Sequence, residues 1–479
     1  MSVKLIEKLA YILTKMSAAL LIGIGLYHLV KQNLNHDSFF CFFCWLFLMG
    51  TGVIAGRDNS FIQRVFKKPE IVVFLTAFFV RAVFCIIWNI APDNDFLATY
   101  ERAGILAVTS VSGWNSALGA TYTEVFPYIT PYIIYEAAVI KIFGSKSIIV
   151  LQLINVLSSS GSCVLLYKIG TCVWGGMGKK TGRLAAWLYI WNPTVLFFMS
   201  VLTCQHIALF FLLLGTYIVI RQPWKKWIVN WLAAGIIMAV SNLFRPEILI
   251  VNIALFCIAI IYVLREKDVK KTVKFYGTYI LSYMVFLGLV NIMLMGNHIV
   301  DKSILNSNVA YKLLIGLNYE HHGTWNMDDA VMIAEDEEEL WKLVRERIRE
   351  PLKLGELAKE KIYITWGEYT NYSCHGNWDE LSAKMYFQQN ILSALCNGYM
   401  LFVIFFVFFK CVSLKKDLKT KEWFITIIMI GYCMVYILIE TSNRYVYVFV
   451  PFFTLLAADG WLYLDRNTLR LKELMKRSS

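Results

Sequence analysis

The residues best placed to do chemistry in this chain are a pair of aspartates and three arginines, all set in or beside apolar stretches. Asp93-Asn94-Asp95-Phe96 follows directly on the apolar run 71–91. A carboxylate at a membrane surface can serve as general base towards an incoming hydroxyl. The alternative is a helix cap, with Asp95 ahead of the helix-forming LATYERA. Arg81 lies inside the run that leads to these aspartates, where it either pairs with a carboxylate or lines an aqueous cavity. Arg245-Pro246-Glu247 interrupts the apolar stretch GIIMAVSNLFRPEILIV. Pro246 breaks the helix there, and a guanidinium at such a break can hold a lipid phosphate through two hydrogen bonds. A structural Arg245–Glu247 pair is the other option. Glu440-Thr441-Ser442-Asn443-Arg444-Tyr445 joins two late apolar runs. Arg444 is again either a phosphate ligand or a snorkelling anchor. Each charge within a span costs about 2.5–3.5 kcal/mol on insertion scales, so each needs a partner or a task.

Two arginines and one carboxylate on one face of a membrane match the needs of sugar transfer from a lipid phosphate. The leaving group is a phosphate and a weak base. It needs its charge neutralised and no general acid, so one carboxylate suffices where glycoside hydrolysis uses two. Direct attack by an acceptor hydroxyl inverts the anomeric centre.

The elements that must position these residues are hydrophobic helices. The 479-residue chain is 58% hydrophobic and 17% charged, with a mean hydropathy of +0.56, outside the range of soluble domains. Its aromatic content of 15% suits interfacial belts as well as packing. The net charge of +12 comes from basic clusters between apolar runs. It therefore points to positive-inside topology and anionic lipid, with no call for nucleic acid. Thirteen apolar runs are legible: 9–31, 38–56, 71–91, 127–143, 148–172, 184–202, 204–220, 228–242, 245–264, 273–296, 391–410, 423–439 and 446–463. The first is too long for the core of a signal peptide and reads as a retained helix. The expected class is an all-α polytopic membrane protein of about twelve to thirteen transmembrane helices.

Clusters such as Lys179/Lys180/Arg183 and Arg265/Lys267/Lys270/Lys271 are expected in the cytoplasm, leaving about 92–126 and 297–390 on the outer side. Parity allows one crossing between the 71–91 helix and the Lys179 cluster, where two apolar runs lie. Either 127–143 is a juxtamembrane or re-entrant piece, or that cluster breaks the charge rule. Four regions follow: an N-terminal two-helix hairpin over 1–70, a membrane core over 71–296 with its first outer loop at 92–126, a partly helical outer region over 297–390, and closing helices with a basic tail over 391–479. Within the outer region, Glu335–Ile348 has acidic residues first and Arg345 and Arg347 last, the order that a helix dipole favours. Leu340, Trp341, Val344 and Ile348 recur at helical spacing. No nucleotide-binding loop is present, which argues against an ATP-driven pump. Most of the eleven cysteines lie in apolar runs, and no paired CxxC spacing suggests a zinc site or a disulfide framework.

The order of motifs resembles the GT-C class of polyprenyl-phosphate-sugar glycosyltransferases. The branch is that of protein O-mannosyltransferases and aminoarabinose transferases, similar to bacterial members of glycosyltransferase family 39. The resemblance runs from about Arg81 to Asp465. It rests on Asp95-Phe96 with Tyr100 and Ala103, on Phe126-Pro127-Tyr128 leading to Lys141-Ile142-Phe143-Gly144, on Asn192-Pro193, and on Arg245-Pro246. Gly316-Leu317-Asn318 with Gly323-Thr324-Trp325-Asn326 looks like the acceptor-side loop of bacterial members, and Glu440, Arg444-Tyr445 and Pro451 match the closing helices. The departures are two apolar runs ahead of the usual first helix, an acid before Asp95 where the family often has one after it, and no large soluble C-terminal domain.

The resemblance implies a GT-C-like bundle that transfers a sugar from a polyprenyl-phosphate donor to an acceptor hydroxyl of a glycan, lipid or protein. It places the active site on the extracytoplasmic face of a multi-pass cell-membrane protein. Asp95 is the expected base with Asp93 in reserve. Arg245 and Arg444, with Arg81, are expected on the donor phosphate. Tyr128, Asn318, Trp325 and Glu440 are expected to line the sugar or acceptor site. No cofactor or metal is expected: adjacent His321 and His322 seldom bind one ion together, and the resemblance implies metal-independent transfer. Two rivals remain. A lipid-linked sugar transporter or flippase would show inverted repeats and midplane charges, and neither is legible here. A polysaccharide polymerase or ligase of the related branch would use late-loop residues such as His321, His322 and Arg345.

Overall fold

The computed structural model describes residues 38–56, 68–118 except 90 and 93, 123, 125–334, 337–367, 393–414 and 420–478, with scattered positions between 11 and 30. Asp93 and about half of the first apolar run lie outside the described residues. The helices of eight or more residues, in chain order, are α1 (Ser38–Gly56), α2 (Pro69–Ile87), α3 (Asn94–Val108), α4 (Thr130–Phe143), α5 (Ser147–Val173), α6 (Gly178–Ile190), α7 (Gln205–Arg221), α8 (Trp227–Phe244), α9 (Ile248–Glu266), α10 (Val269–Gly296), α11 (Val309–Gly316), α12 (Glu337–Ile348), α13 (Pro351–Gly367), α14 (Ser393–Val412), α15 (Thr420–Leu438) and α16 (Val450–Ser478). Among the described residues there is no strand, and seven helical stretches are long and apolar enough to cross a membrane. The chain is an all-α polytopic membrane protein.

Local chemistry explains how several of the apolar runs fold. The run 184–202 does not form one helix. α6 ends at Ile190, and Asn192 caps a five-residue helix, Pro193–Phe197, by accepting a bond from the Val195 amide at 3.3 Å. Proline fits this first helical position because its missing N–H would have no partner there. α7, at 17 residues, falls just short of a full span by the same measure. The run 127–143 gives α4, whose 14 residues extend about 21 Å, less than the roughly 30 Å of a hydrocarbon core. The chain turns at Gly144, where φ is +53°, a conformation that glycine adopts without steric cost. α5 then continues for 27 residues. α4 packs chiefly against α3.

The main core is made by α5 against α2, α6 and α7, by α8 between α7 and α10, and by α14 and α16 packed together. α1 lies against α14 and α6, and Trp45 donates to the Gly398 carbonyl at 2.9 Å. Small buried residues on α5, among them Ser159, Ser160 and Ser162, allow close helix approach. Two smaller cores sit at one end of the bundle. One joins α3, α4 and the end of α10 through Ala103, Leu106, Ile133, Ala137 and Leu294. The other joins α11 and α12 through Tyr311, Leu314, Leu340 and Val344. Of the four residues at helical spacing, Leu340 and Val344 are buried and Trp341 partly so, against α11 of the same region, whereas Ile348 is 50% exposed.

Candidate active site

A cavity of about 410 Å³ lies where these two smaller cores meet the main bundle. That volume is within the ~300–1,000 Å³ common for small-molecule sites. Its walls come from seven separate stretches: the first turn of α3, the entry to α4, the start of α7, the end of α8, the middle of α11, the loop at 325, and the connection from α15 to α16.

Asp95 occupies the first turn of α3, where a negative charge is favoured by the helix dipole. Its carboxylate accepts a bond from Arg444 Nη2 at 2.9 Å, and its side chain keeps 43% exposure. Arg444 lies in the short 3-10 turn Asn443–Val448 before α16, with its guanidinium over the rings of Phe96 and Tyr445. The turn is anchored from α7. Gln205 Nε2 donates to the Arg444 carbonyl at 3.5 Å, and His206 Nδ1 lies 2.5 Å from the Tyr447 hydroxyl.

Arg245 follows the last residue of α8 in extended backbone, with φ −154° and ψ 132°. Pro246 enforces this, because its ring clashes with a helical residue before it. The side chain bonds Glu247 Oε1 through Nε at 2.8 Å and Nη2 at 2.6 Å, and it lies over the other side group of the site, the Tyr445 ring, at 5.7 Å. Arg444 is also 5.7 Å from that ring. Two arginines about two hundred residues apart therefore converge on one tyrosine at one cavity. Arg245 is thus paired with Glu247 and also lines the cavity.

Lys312 is the cation that sequence reasoning missed. It projects from α11 into the cavity, pairs with Glu440, and lies over the Phe126 ring at 5.0 Å. Burial opposes its charge, but the oxygens of Tyr445 and Glu440 outweigh burial and push its ammonium above the ordinary lysine value. The signal was available as a lone lysine in the apolar stretch VAYKLLIG, within a region expected outside the membrane. Glu440 lines the cavity as expected, with its carboxylate held by this lysine and its amide bonded to the Lys312 carbonyl at 3.0 Å. No family model and no curated protein matches the chain. The site must therefore be read from its own geometry.

Tyr128 and Trp325 line the cavity, Trp325 from a 58%-exposed position at its rim. Phe126, Tyr132, Phe244 and Tyr445 complete an aromatic wall. Two expected site residues lie elsewhere. Arg81 is fully buried in the middle of α2, donating to Ser159 Oγ at 2.7 Å and to the Tyr189 carbonyl at 3.0 Å. It does not line the cavity, because its position within an unbroken helix directs it into the α2–α5–α6 core. Asn318 also stands outside the lining. Its amide nitrogen donates to Asp329 Oδ2 at 2.8 Å, and its oxygen accepts from the Glu320 and His321 amides at 3.0 and 3.1 Å.

That knot shapes the loop carrying Trp325. Asp329 accepts two further side-chain bonds from Arg347, at 2.8 and 3.2 Å, and one from Asn326 at 3.0 Å. Burial opposes ionisation of Asp329, but these bonds overcome it and hold the carboxyl below its usual range. Gly323, at φ +71°, turns the loop where a side chain would strike Lys361 and the Gly316 carbonyl. His321 pairs with Asp328 on the exposed side of the loop at 2.8 Å, away from the cavity lining.

Proposed function

We propose that the chain is a membrane glycosyltransferase. It moves a sugar from a polyprenyl-phosphate donor to an acceptor hydroxyl on the extracytoplasmic face, with inversion at the anomeric carbon. One observation carries the reading: Asp95, Arg245 and Arg444 meet at one cavity, with each guanidinium 5.7 Å from the Tyr445 ring. These are the base and phosphate ligands that such a transfer needs, drawn from three distant stretches of sequence.

The steps follow from the groups present. The donor phosphate seats between Arg245 and Arg444, whose planar forks suit phosphate oxygens. An acceptor hydroxyl approaches Asp95 and gives up its proton to the carboxylate as its oxygen bonds to the anomeric carbon. The bond from that carbon to the phosphate oxygen breaks, and its electron pair leaves on the polyprenyl phosphate. Arg444, now on Asp95, would bridge base and leaving group, and it would hold the carboxylate in position until substrate arrives. Once donor and acceptor fill the cavity, they and the aromatic wall displace water from the reacting centre, which strengthens each charge interaction within it.

The test is transfer or donor hydrolysis by the purified protein with several polyprenyl-phosphate sugars. Turnover that Asp95→Asn abolishes, with folding intact, supports the reading. Movement of an unaltered lipid-linked sugar across a vesicle membrane, without transfer, would replace it with a transporter.

A further inference from the structure

The pairing of charges at the cavity bears on which sugar it accepts. Both carboxylates that line it, Asp95 and Glu440, already hold a cation of their own, Arg444 and Lys312. The third lining cation, Arg245, is held by Glu247 from behind the wall. Among the described residues no lining carboxylate is without a cation, and no lining cation is without a carboxylate.

The Lys312–Glu440 pair is the more enclosed of the two complete lining pairs. The Glu440 side chain is 7% exposed and that of Lys312 is 21% exposed, with the ammonium against Phe126. The backbone fixes the pair as well, through the bond from the Glu440 amide to the Lys312 carbonyl. Behind it, the fully buried Lys361 donates to the carbonyls of Gly316 and Ile439, at 2.8 and 2.6 Å. Lys361 thus fixes the backbone ahead of Glu440, and the Glu440 carboxylate cannot turn to a new cation without leaving Lys312 unpaired. A further carboxyl, Glu136, is fully buried and does not line the cavity.

We infer that the transferred sugar is uncharged, and that the Lys312–Glu440 pair is the element that excludes charged sugars. This rests on the lipid-phosphate-sugar reading above. A sugar ammonium entering here would meet three cations and no open carboxylate. A sugar carboxylate would compete with the donor phosphate for Arg245 and Arg444. Hydroxyls, in contrast, can accept from Lys312 and donate to Glu440 without disturbing the pair, while ring faces lie against Tyr128, Tyr132 or Trp325. Specificity of this kind comes from what the wrong ligand leaves unpaired.

The experiment measures binding of three polyprenyl-phosphate donors to the full-length protein in detergent, carrying glucose, glucosamine or glucuronate. Polyprenyl phosphate alone serves as reference. The expected result is binding of the glucose donor about tenfold or more tighter than either charged donor. Lys312→Gln, which frees Glu440, should narrow the glucosamine gap, and Lys312→Gln with Glu440→Gln should restore it. Equal or tighter binding of a charged donor by the unaltered protein overturns the inference, whatever the variants do. An unchanged glucosamine gap in a folded Lys312→Gln protein removes the pair from the role. Failure to bind polyprenyl phosphate or any of its sugars overturns the underlying reading and takes this inference with it, a result distinct from binding all three donors alike.

Discussion

Arg81 and the pair Arg245 and Arg444 are three arginines in apolar sequence, and the protein treats them in two ways. Arg81 sits in the middle of an unbroken helix, fully buried, with its guanidinium bonded to Ser159 and the Tyr189 carbonyl and its face against the Tyr189 ring at 5.4 Å. Arg245 and Arg444 sit where helices stop, one before Pro246 and the other in a 3-10 turn, and both reach a cavity while retaining some exposure. The difference lies in the backbone. A mid-helix arginine points wherever the helix face points, whereas one at a break can be aimed. A charge at a helix break is therefore better placed to line a cavity than one within an unbroken helix.

The largest effect should come from Asp95. Asp95→Asn keeps the size and a bond to Arg444 but removes the base, and loss of a general base costs about 10²–10⁴-fold in rate. Single-turnover transfer at saturating donor reads this directly. Full activity in Asp95→Asn together with loss in Asp93→Asn would move the base by two residues, and full activity in both would remove this loop from catalysis.

How much of this was legible in the sequence follows the same division. The helical membrane class follows from the apolar runs, and the arginines at breaks follow from Pro246 and from the polar link 440–445. Lys312 was not found because its importance depends on Glu440, 128 residues away, and a single sequence does not display such a contact. Asn318 was misplaced for the opposite reason: its neighbours Asp329 and Arg347 satisfy it within the loop. Hydropathy also does not register the break at Asn192-Pro193, which divides the run 184–202 into α6 and a five-residue helix.

The next effect separates the two kinds of arginine. Arg245→Lys and Arg444→Lys keep charge but lose the planar fork, and each should weaken donor use by about 2–4 kcal/mol, as loss of one oxyanion ligand does. Melting temperatures of these variants should fall little. Arg81→Lys should reverse the pattern. Its lost bonds, worth about 1–3 kcal/mol where a buried partner is left unsatisfied, should appear in the melting curve with donor affinity unchanged. A loss of donor affinity in Arg81→Lys at unchanged stability would dissolve the distinction.

A smaller effect concerns the support behind the cavity. Burial pushes the Lys361 ammonium down to about 7, against the opposing pull of Glu440. In the unfolded chain the group titrates near the ordinary lysine value of about 10.4. Between these values the unfolded chain binds more protons, so this residue makes stability rise with pH from about 7 towards 10. The neutral amine still has two hydrogens for the carbonyls of Gly316 and Ile439. Melting curves across this range should show the rise in the natural protein and a flatter profile in Lys361→Met. An unchanged slope in the variant would assign the pH dependence to other groups.

The central claim is that Arg245 and Arg444 hold one phosphate, and a double-mutant cycle on polyprenyl phosphate binding tests it most directly. The four proteins are the natural chain, Arg245→Lys, Arg444→Lys and the double variant, each checked for folding by its melting curve. If both guanidiniums grip the same phosphate, the two losses are coupled, and the double variant departs from their sum by more than the ~0.5 kcal/mol seen between independent sites. Near-normal binding in both single variants, or losses that simply add, would contradict a shared phosphate and leave the two arginines as separate structural anchors.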